Sequence, residues 1–288
     1  MTKTATNNDA CAPLRLATWN VNGLRARLET VLAWLKEAEP DIACLQEVKM
    51  EEEKFPALAF SELGYNVAVH GQKGFNGVAI LSRLPLEDVR RGLPTWRDDD
   101  QARYIEAVVS TTHGALRIAS VYAPNGNPVD SEKFPYKLRW MEALRQHVAE
   151  TMALEEAFAL GGDYNVIPTA ADAKNPEKWE GDALAMPQTR AAFRRLLGLG
   201  LADAQLACAG EPAFTFWDYQ GGAWQKDDGI RIDFFLLTPQ AADLLCDARV
   251  EKQVRSWEKP SDHVPLVVAL QPRPISALEQ MHEAMEAP

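Results

Sequence analysis

Short apolar runs of strand length recur along this chain, and the residues at their ends are repeatedly amides, carboxylates or a phenol. Asn20 and Asn22 follow LRLATW, Glu47 follows DIACLQ, Tyr122 follows RIASV, and Asp163 and Asn165 follow AFALGG. Asp233 interrupts IRIDFFLL, and Asp262-His263 directly precede the last apolar run, VPLVVAL. A carboxylate at a buried strand end loses solvation, which is costly unless a metal or a hydrogen-bond donor compensates. Convergence of these ends would gather several carboxylates, amides and one histidine around one point. Such an oxygen-rich set suits a hard cation, Mg²⁺ or Mn²⁺, and disfavours zinc.

Taken singly, each residue has a plainer reading. Glu47 could be a helix-start acid, Asp163 after Gly161-Gly162 could form an Asx turn, Asp262 could cap a strand and His263 could be a solvated loop residue. Asp233 is harder to dismiss, since an acid inside an apolar strand needs a buried partner. His263 is the natural candidate.

The remaining pattern indicates an α/β or α+β chain with mixed sheets in one domain over about 14–271. LRLATWN alternates as a half-buried strand does, and a helix follows with Leu24, Leu28, Val31, Leu32 and Leu35 on one face, closed by Pro40. YNVAVH and GVAILS form an expected hairpin around GQKGFN, and YIEAVVST and ALRIASVY a second one through THG. A helix bearing Leu138, Met141, Leu144 and Val148 precedes the strand AFALGGDYN, and the helix QTRAAFRRLL ends at glycine. TFWDY, GIRIDFFLLT, DARVEKQVRS and VPLVVALQ read as strands, with a short helix opened by Thr238 as cap and Pro239 at its first position. Residues 1–13 read as a disordered tail, and 272–288 as an extension able to form a helix.

Composition narrows the class without fixing the activity. A chain that is 47% hydrophobic and 25% charged, with 24 aromatic residues, is that of an ordinary globular protein. No apolar run approaches the roughly 18 residues a membrane-spanning helix needs, and the N-terminus lacks a signal-type apolar stretch. Cys11, Cys44, Cys208 and Cys246 are far apart, which argues against a zinc site or a stapled fold and fits a reducing cytoplasm. The net charge of −11 counts only weakly against a nucleic-acid partner, because the local field at the site decides.

Eight segments in order carry a resemblance: TWNVNGLRAR, LQEVK, HGQKGFNGVAI, VYAPNGNP, GGDYNVIPT, TFWDY, GIRIDFFLL and KPSDHVPL. Together they resemble the exonuclease III type of apurinic/apyrimidinic DNA endonucleases, in the endonuclease/exonuclease/phosphatase superfamily. The resemblance implies a four-layered α/β sandwich: two facing mixed β-sheets with helices on the outer faces and the active site at one edge. It implies a Mg²⁺-dependent monomer, with Mn²⁺ as a substitute, that cuts double-stranded DNA on the 5′ side of abasic sites and trims 3′ ends. Glu47 would be the principal metal ligand, with Asn22 and Asp262 nearby; related enzymes often have aspartate in place of Asn22. Asn20 and Asn165 would orient the phosphate or the attacking water, and Tyr122 would bond a phosphate oxygen. Asp163 would activate the water or protonate the leaving group, and His263, oriented by Asp233, would polarise the phosphate.

DNA contacts are read from Arg25, Arg27, Lys49, Lys73, Lys133, Lys137, Lys226 and Arg231, which lie in or beside the motif loops. Phe216 and Trp217 match aromatics that border the abasic-sugar pocket in the family. Neighbours in a strand point to opposite faces, so Phe216 is assigned to the pocket and Trp217 to the core. Two alternatives compete: a superfamily relative acting on small or lipid phosphoesters, and a noncatalytic DNA-binding protein on the same fold. The first would not require KFPYKLRW or TFWDY, and the second would have lost one of Glu47, Asp163, Asp233, Asp262 or His263.

Overall fold

The computed structural model of the chain describes residues 12–111 and 114–271. The extension expected over 272–288, residues 1–11 of the expected tail, and Thr112 and His113 of the THG connection lie outside them. The strands are β1 (Leu14–Asn20), β2 (Ile42–Gln46), β3 (Asn66–His70), β4 (Val78–Ser82), β5 (Glu87–Arg91) and β6 (Tyr104–Thr111). They continue with β7 (Gly114–Tyr122), β8 (Ala157–Asp163), β9 (Ala202–Asp203), β10 (Asp233–Leu237), β11 (Leu245–Val250) and β12 (Leu266–Leu270). The α-helices are α1 (Leu24–Ala38), α2 (Ala57–Ser61), α3 (Lys133–Met152), α4 (Pro187–Leu197), α5 (Ala204–Ala209) and α6 (Pro239–Ala242).

The strands form two six-stranded sheets, ordered β11-β12-β1-β2-β4-β3 and β5-β6-β7-β8-β10-β9. Strand alternation sorts their side chains into three apolar layers. Leu14 and Leu16 of β1, Ile42 and Cys44 of β2, Ala159 of β8 and Phe235 and Leu237 of β10 meet between the sheets. Ala17, Trp19, Ala43 and Leu45 face the other way, under Val31, Trp34 and Leu35 of α1. Phe158, Leu160 and Phe234 lie under Trp140, Leu144 and Phe193 of α3 and α4. The layers therefore run helix, sheet, sheet, helix. Gln46 and Ser120, both buried, tie the sheets together through an amide-to-hydroxyl bond of 2.9 Å.

Both sheets are mixed, and the mixing places the site. The two parallel pairs are β1 with β2 and β7 with β8, connected across the outer faces by crossovers that contain α1 and α3. Parallel register sets Asn20 beside Gln46, one residue before Glu47, and Tyr122 beside Asp163. Antiparallel β10 starts where β8 ends, Asp233 opposite Asp163, and antiparallel β12 starts where β1 ends, just after Asp262-His263. Carboxyl ends of four strands and amino ends of two thus share one edge.

Several expected elements differ. TFWDY is not a strand: Phe216 makes single bridges to Ile230 and to His263. GIRI is not strand either, since Ile230 N–H bonds Phe216, Arg231 N–H bonds Asp172 and Ile232 C=O accepts from Tyr164. Partners that change residue by residue build no ladder, so Asp233 opens β10 instead of interrupting it. DARVEKQVRS stays strand only to Val250, opposite Leu266; the next partner, Pro265, has no N–H to continue the ladder, and Lys252–Ser256 turns into a 3-10 helix. Thr238 sits at the α6 cap position, but its hydroxyl serves Phe158 N–H and Glu156 C=O instead of capping. The Pro-rich stretch 168–187 holds two 3-10 turns, and β5, β9, α2 and α5 had no periodic signal long enough to read.

Candidate active site

Asp163 is nearly inaccessible, and Gly162 before it lets β8 press against β7, since a Cβ there would lie 1.9 Å from Val121 O. Asp163 Oδ1 accepts from the Asn165 N–H at 2.9 Å, which is the Asx turn read from the sequence. Its other oxygen, Oδ2, accepts from the Asn20 amide at 3.0 Å and the Asn165 amide at 3.3 Å, and lies 3.8 Å from His263 Nε2. Burial raises the Asp163 pKa to about 7, with Asp233 adding to the rise and His263 opposing it.

His263 is also buried, with Nδ1 2.8 Å from Asp233 Oδ2. Burial by itself would disfavour the imidazolium, but Asp233, Asp163 and Asp262 outweigh it and raise the pKa to about 10. Its backbone is pinned by Trp19 Nε1, which donates to His263 C=O at 3.1 Å, and its ring packs edge-on against Phe216 at 4.9 Å.

Glu47 follows β2 in a left-handed conformation, φ 53°, and its Oε1 accepts from Asn20 at 2.9 Å. Burial would push its carboxyl up, but the Lys49 ammonium and the Asn20 amide hold it below the usual range. Asn20 therefore bridges Glu47 and Asp163 with one amide nitrogen. Tyr122 leans on Glu47, and burial with the nearby carboxylates keeps its phenol protonated. The Arg103 guanidinium lies 4.9 Å from the Tyr122 ring centroid.

Asn22 donates to Asp262 Oδ1 at 3.0 Å and accepts Lys49 Nζ on its own Oδ1 at 2.5 Å. The same ammonium is 2.7 Å from Glu47 Oε2. A cation thus already sits between the Glu47 carboxylate and the Asn22 carbonyl oxygen, and those donors fit a hard metal ion. Asp163, Asp233 and His263 also bring ligand atoms within 4.8 Å of one another. Nδ1 of His263 is already hydrogen-bonded to Asp233, which leaves Nε2 as the ring nitrogen that faces Asp163.

The basic and aromatic residues separate by burial. Arg25, Lys73 and Lys226 are exposed, and Arg25, Lys49, Lys54 and Lys73 line a groove of about 400 Å³ beside Glu47. Lys133 is exposed at the start of α3. Arg231 is not a DNA contact: it is buried, and it ion-pairs with Asp172 and Asp203 at 2.6 Å each. Lys137 is equally enclosed and belongs to no basic rim. Trp217 is fully buried, too enclosed to touch DNA, and its indole donates to Asp227. Phe216 lines a cavity of about 510 Å³ with Trp179, Lys178 and Lys226. Sequence reading missed Trp179, whose only signal was an aromatic in a charged loop, and the place of Lys49 among the acids.

A sheet-edge set of this kind on a helix-sheet-sheet-helix sandwich defines a hydrolase of phosphate esters. Residues 17–263 match the Endonuclease/Exonuclease/phosphatase family, and the chain belongs to it. Within that metal-dependent family it is a hydrolytic enzyme of the exodeoxyribonuclease III and AP endonuclease class. It is 34% identical over 262 residues to exodeoxyribonuclease III of Haemophilus influenzae, covering 88% of this chain and 98% of the relative. A Neisseria 3′ phosphatase bound to a product DNA hairpin superposes with a TM-score of 0.85 at 40% identity, over 90% of this chain and 99% of that one. An AP endonuclease from Archaeoglobus fulgidus does so with 0.84 at 39% identity, over 89% and 99%. No helix among the described residues is long and apolar enough to cross a membrane.

Proposed function

We propose that the protein hydrolyses the phosphodiester backbone of double-stranded DNA on the 5′ side of abasic sites and removes nucleotides or blocking groups from 3′ ends, using Mg²⁺, with Mn²⁺ as a substitute. The observation that carries this reading is the bridge of Asn20 between Glu47 and Asp163, with Asp163 in turn 3.8 Å from the His263–Asp233 pair. Phosphodiester hydrolysis needs an in-line water, neutralisation of charge on the nonbridging oxygens and help for the departing alkoxide.

Glu47 would hold the cation, with Asn22 and Asp262 beside it; the bound ion supplies charge neutralisation at the phosphate. Asp163, with a pKa near neutrality, moves the proton at Oδ2, held in place by the two amides. His263 presents an imidazolium Nε2–H to a phosphate oxygen, and Asp233 fixes its orientation through Nδ1. Tyr122, kept neutral, donates its phenol to a second oxygen. The exposed Arg25, Lys73 and Lys133 suit backbone phosphates despite the net charge of −11, because screening confines each contact to its surroundings. Phe216 suits the wall of a pocket for a sugar without a base. The thiols of Cys44, Cys208 and Cys246 are free, which suits the reducing cytoplasm, where the protein would act as a monomer.

The test is to incubate the protein with one duplex carrying an abasic analogue and another carrying a 3′-blocked nick, each with and without Mg²⁺. Cleavage of either, only with the ion, is the expected result. Hydrolysis of small phosphate esters with both duplexes intact would overturn the DNA reading.

A further inference from the structure

Lys137 lies in the second turn of α3, 0% exposed, with no carboxylate among its hydrogen-bond partners in the described residues. Its ammonium donates to the carbonyls of Asn125 at 3.0 Å and Asn165 at 2.5 Å. Its stem packs on Gly126, where φ is +90° and a Cβ would meet Lys137 Cδ at 2.7 Å. Two loops are stitched together around it. Ala123 N–H donates to Asp163 C=O at 2.8 Å, and the Asn165 amide donates to Ala123 C=O at 2.9 Å. The Asn125 amide then donates to Asn165 Oδ1 at 3.2 Å.

An uncharged chain of similar volume would fill this space without the desolvation that a buried ammonium suffers. What the ammonium adds is two charge-assisted bonds to carbonyls that helix and sheet leave unpaired. One carbonyl belongs to Asn165, which is left-handed at φ 49° and whose amide touches Asp163 Oδ2. Burial lowers the Lys137 pKa to about 7, with Asp163 and Asp182 acting to hold the charge.

We propose that Lys137 is a positioning residue for the hydrolytic step: it clamps the Asn125 and Asn165 carbonyls so that the Asn165 amide and the Asp163 carboxylate stay in register with the scissile phosphate. It touches no substrate itself. The inference rests on the phosphodiesterase reading above.

Steady-state kinetics of Lys137→Met and Lys137→Arg on the abasic duplex test it, read at a temperature where thermal melts show each variant folded. A clamp predicts kcat lower by about 100-fold in Lys137→Met with KM within about threefold, since small displacements of reacting groups cost on that order. Lys137→Arg, which keeps the charge, recovers part of the loss. A folded Lys137→Met with wild-type kcat, or a loss carried by KM, would overturn the clamp. If Lys137→Met does not fold, Lys137→Arg decides: the clamp predicts kcat about tenfold down at unchanged KM, because the donor atoms are displaced, and wild-type kcat overturns it. Wild-type protein inactive on both duplexes would instead sink the underlying reading.

Discussion

His263 Nδ1 lies 2.8 Å from Asp233 Oδ2, so the first residue of β10 fixes the imidazole that precedes β12 in the other sheet. The other oxygen of Asp233 is buried with no hydrogen-bond partner among the described residues, so the carboxylate's side-chain contact there goes to the ring. If the pair acts as a unit, Asp233→Asn and His263→Ala each lower kcat by about 10²–10⁴-fold, and the double variant is little worse than either. A double-mutant cycle on abasic-duplex cleavage measures this. Fully additive losses would mean that the two residues act independently.

The same pair sets a pH dependence of stability. The folded-state pKa of His263 is raised above its unfolded value of 6.5 to about 10, so its favourable contribution is fully present below pH 6.5 and is lost as pH rises towards 10. Asp163 acts in the same direction over a lower range: burial raises its carboxyl from 3.8 to about 7, so folding becomes less favourable as pH rises from about 4 to 7. Denaturant midpoints in chelator should therefore fall between pH 7 and 10, and His263→Gln should flatten that fall. An equal fall in the variant would place the titrating group elsewhere.

Phe216 and Trp217 are neighbours with different fates. Trp217→Ala should cost roughly 3–5 kcal/mol of folding free energy, as truncation of a fully buried aromatic does. Phe216→Ala should cost less stability and reduce discrimination between abasic and intact duplex, because its ring faces the cavity that Trp179 and Lys226 also line. Chemical denaturation alongside cleavage of both duplexes separates these outcomes, and the reverse pattern would exchange the two assignments.

Much of the fold was legible because burial imposes short periods. LRLATWN, IACLQ and FFLL show alternating or continuous apolar runs, and the hairpins around GQKGFN and THG follow from their turn residues. The polar ends of those runs marked the candidate site for the same reason, since carboxylates at buried strand ends need compensation. Arg231 and Lys137 misled because a charged residue beside a motif looks the same whether it faces solvent or a buried partner. Only tertiary structure supplies Asp172 and Asp203 for the one and two backbone carbonyls for the other. TFWDY misled because its composition is strand-like while its backbone partners come singly, from Ile230 and His263.

Glu47, whose carboxylate receives Lys49 Nζ at 2.7 Å, would hold the cation on which hydrolysis depends. Titrating Mg²⁺ against cleavage of the abasic duplex, for wild type and Glu47→Gln, tests it most directly. Losing the Glu47 carboxylate leaves Asp262 and the neutral Asn22 amide, so the variant should fold as wild type does and need at least about tenfold more Mg²⁺, with turnover nearly abolished at limiting ion. A Glu47→Gln protein with the wild-type Mg²⁺ profile and wild-type rate would mean that Glu47 does not hold the ion.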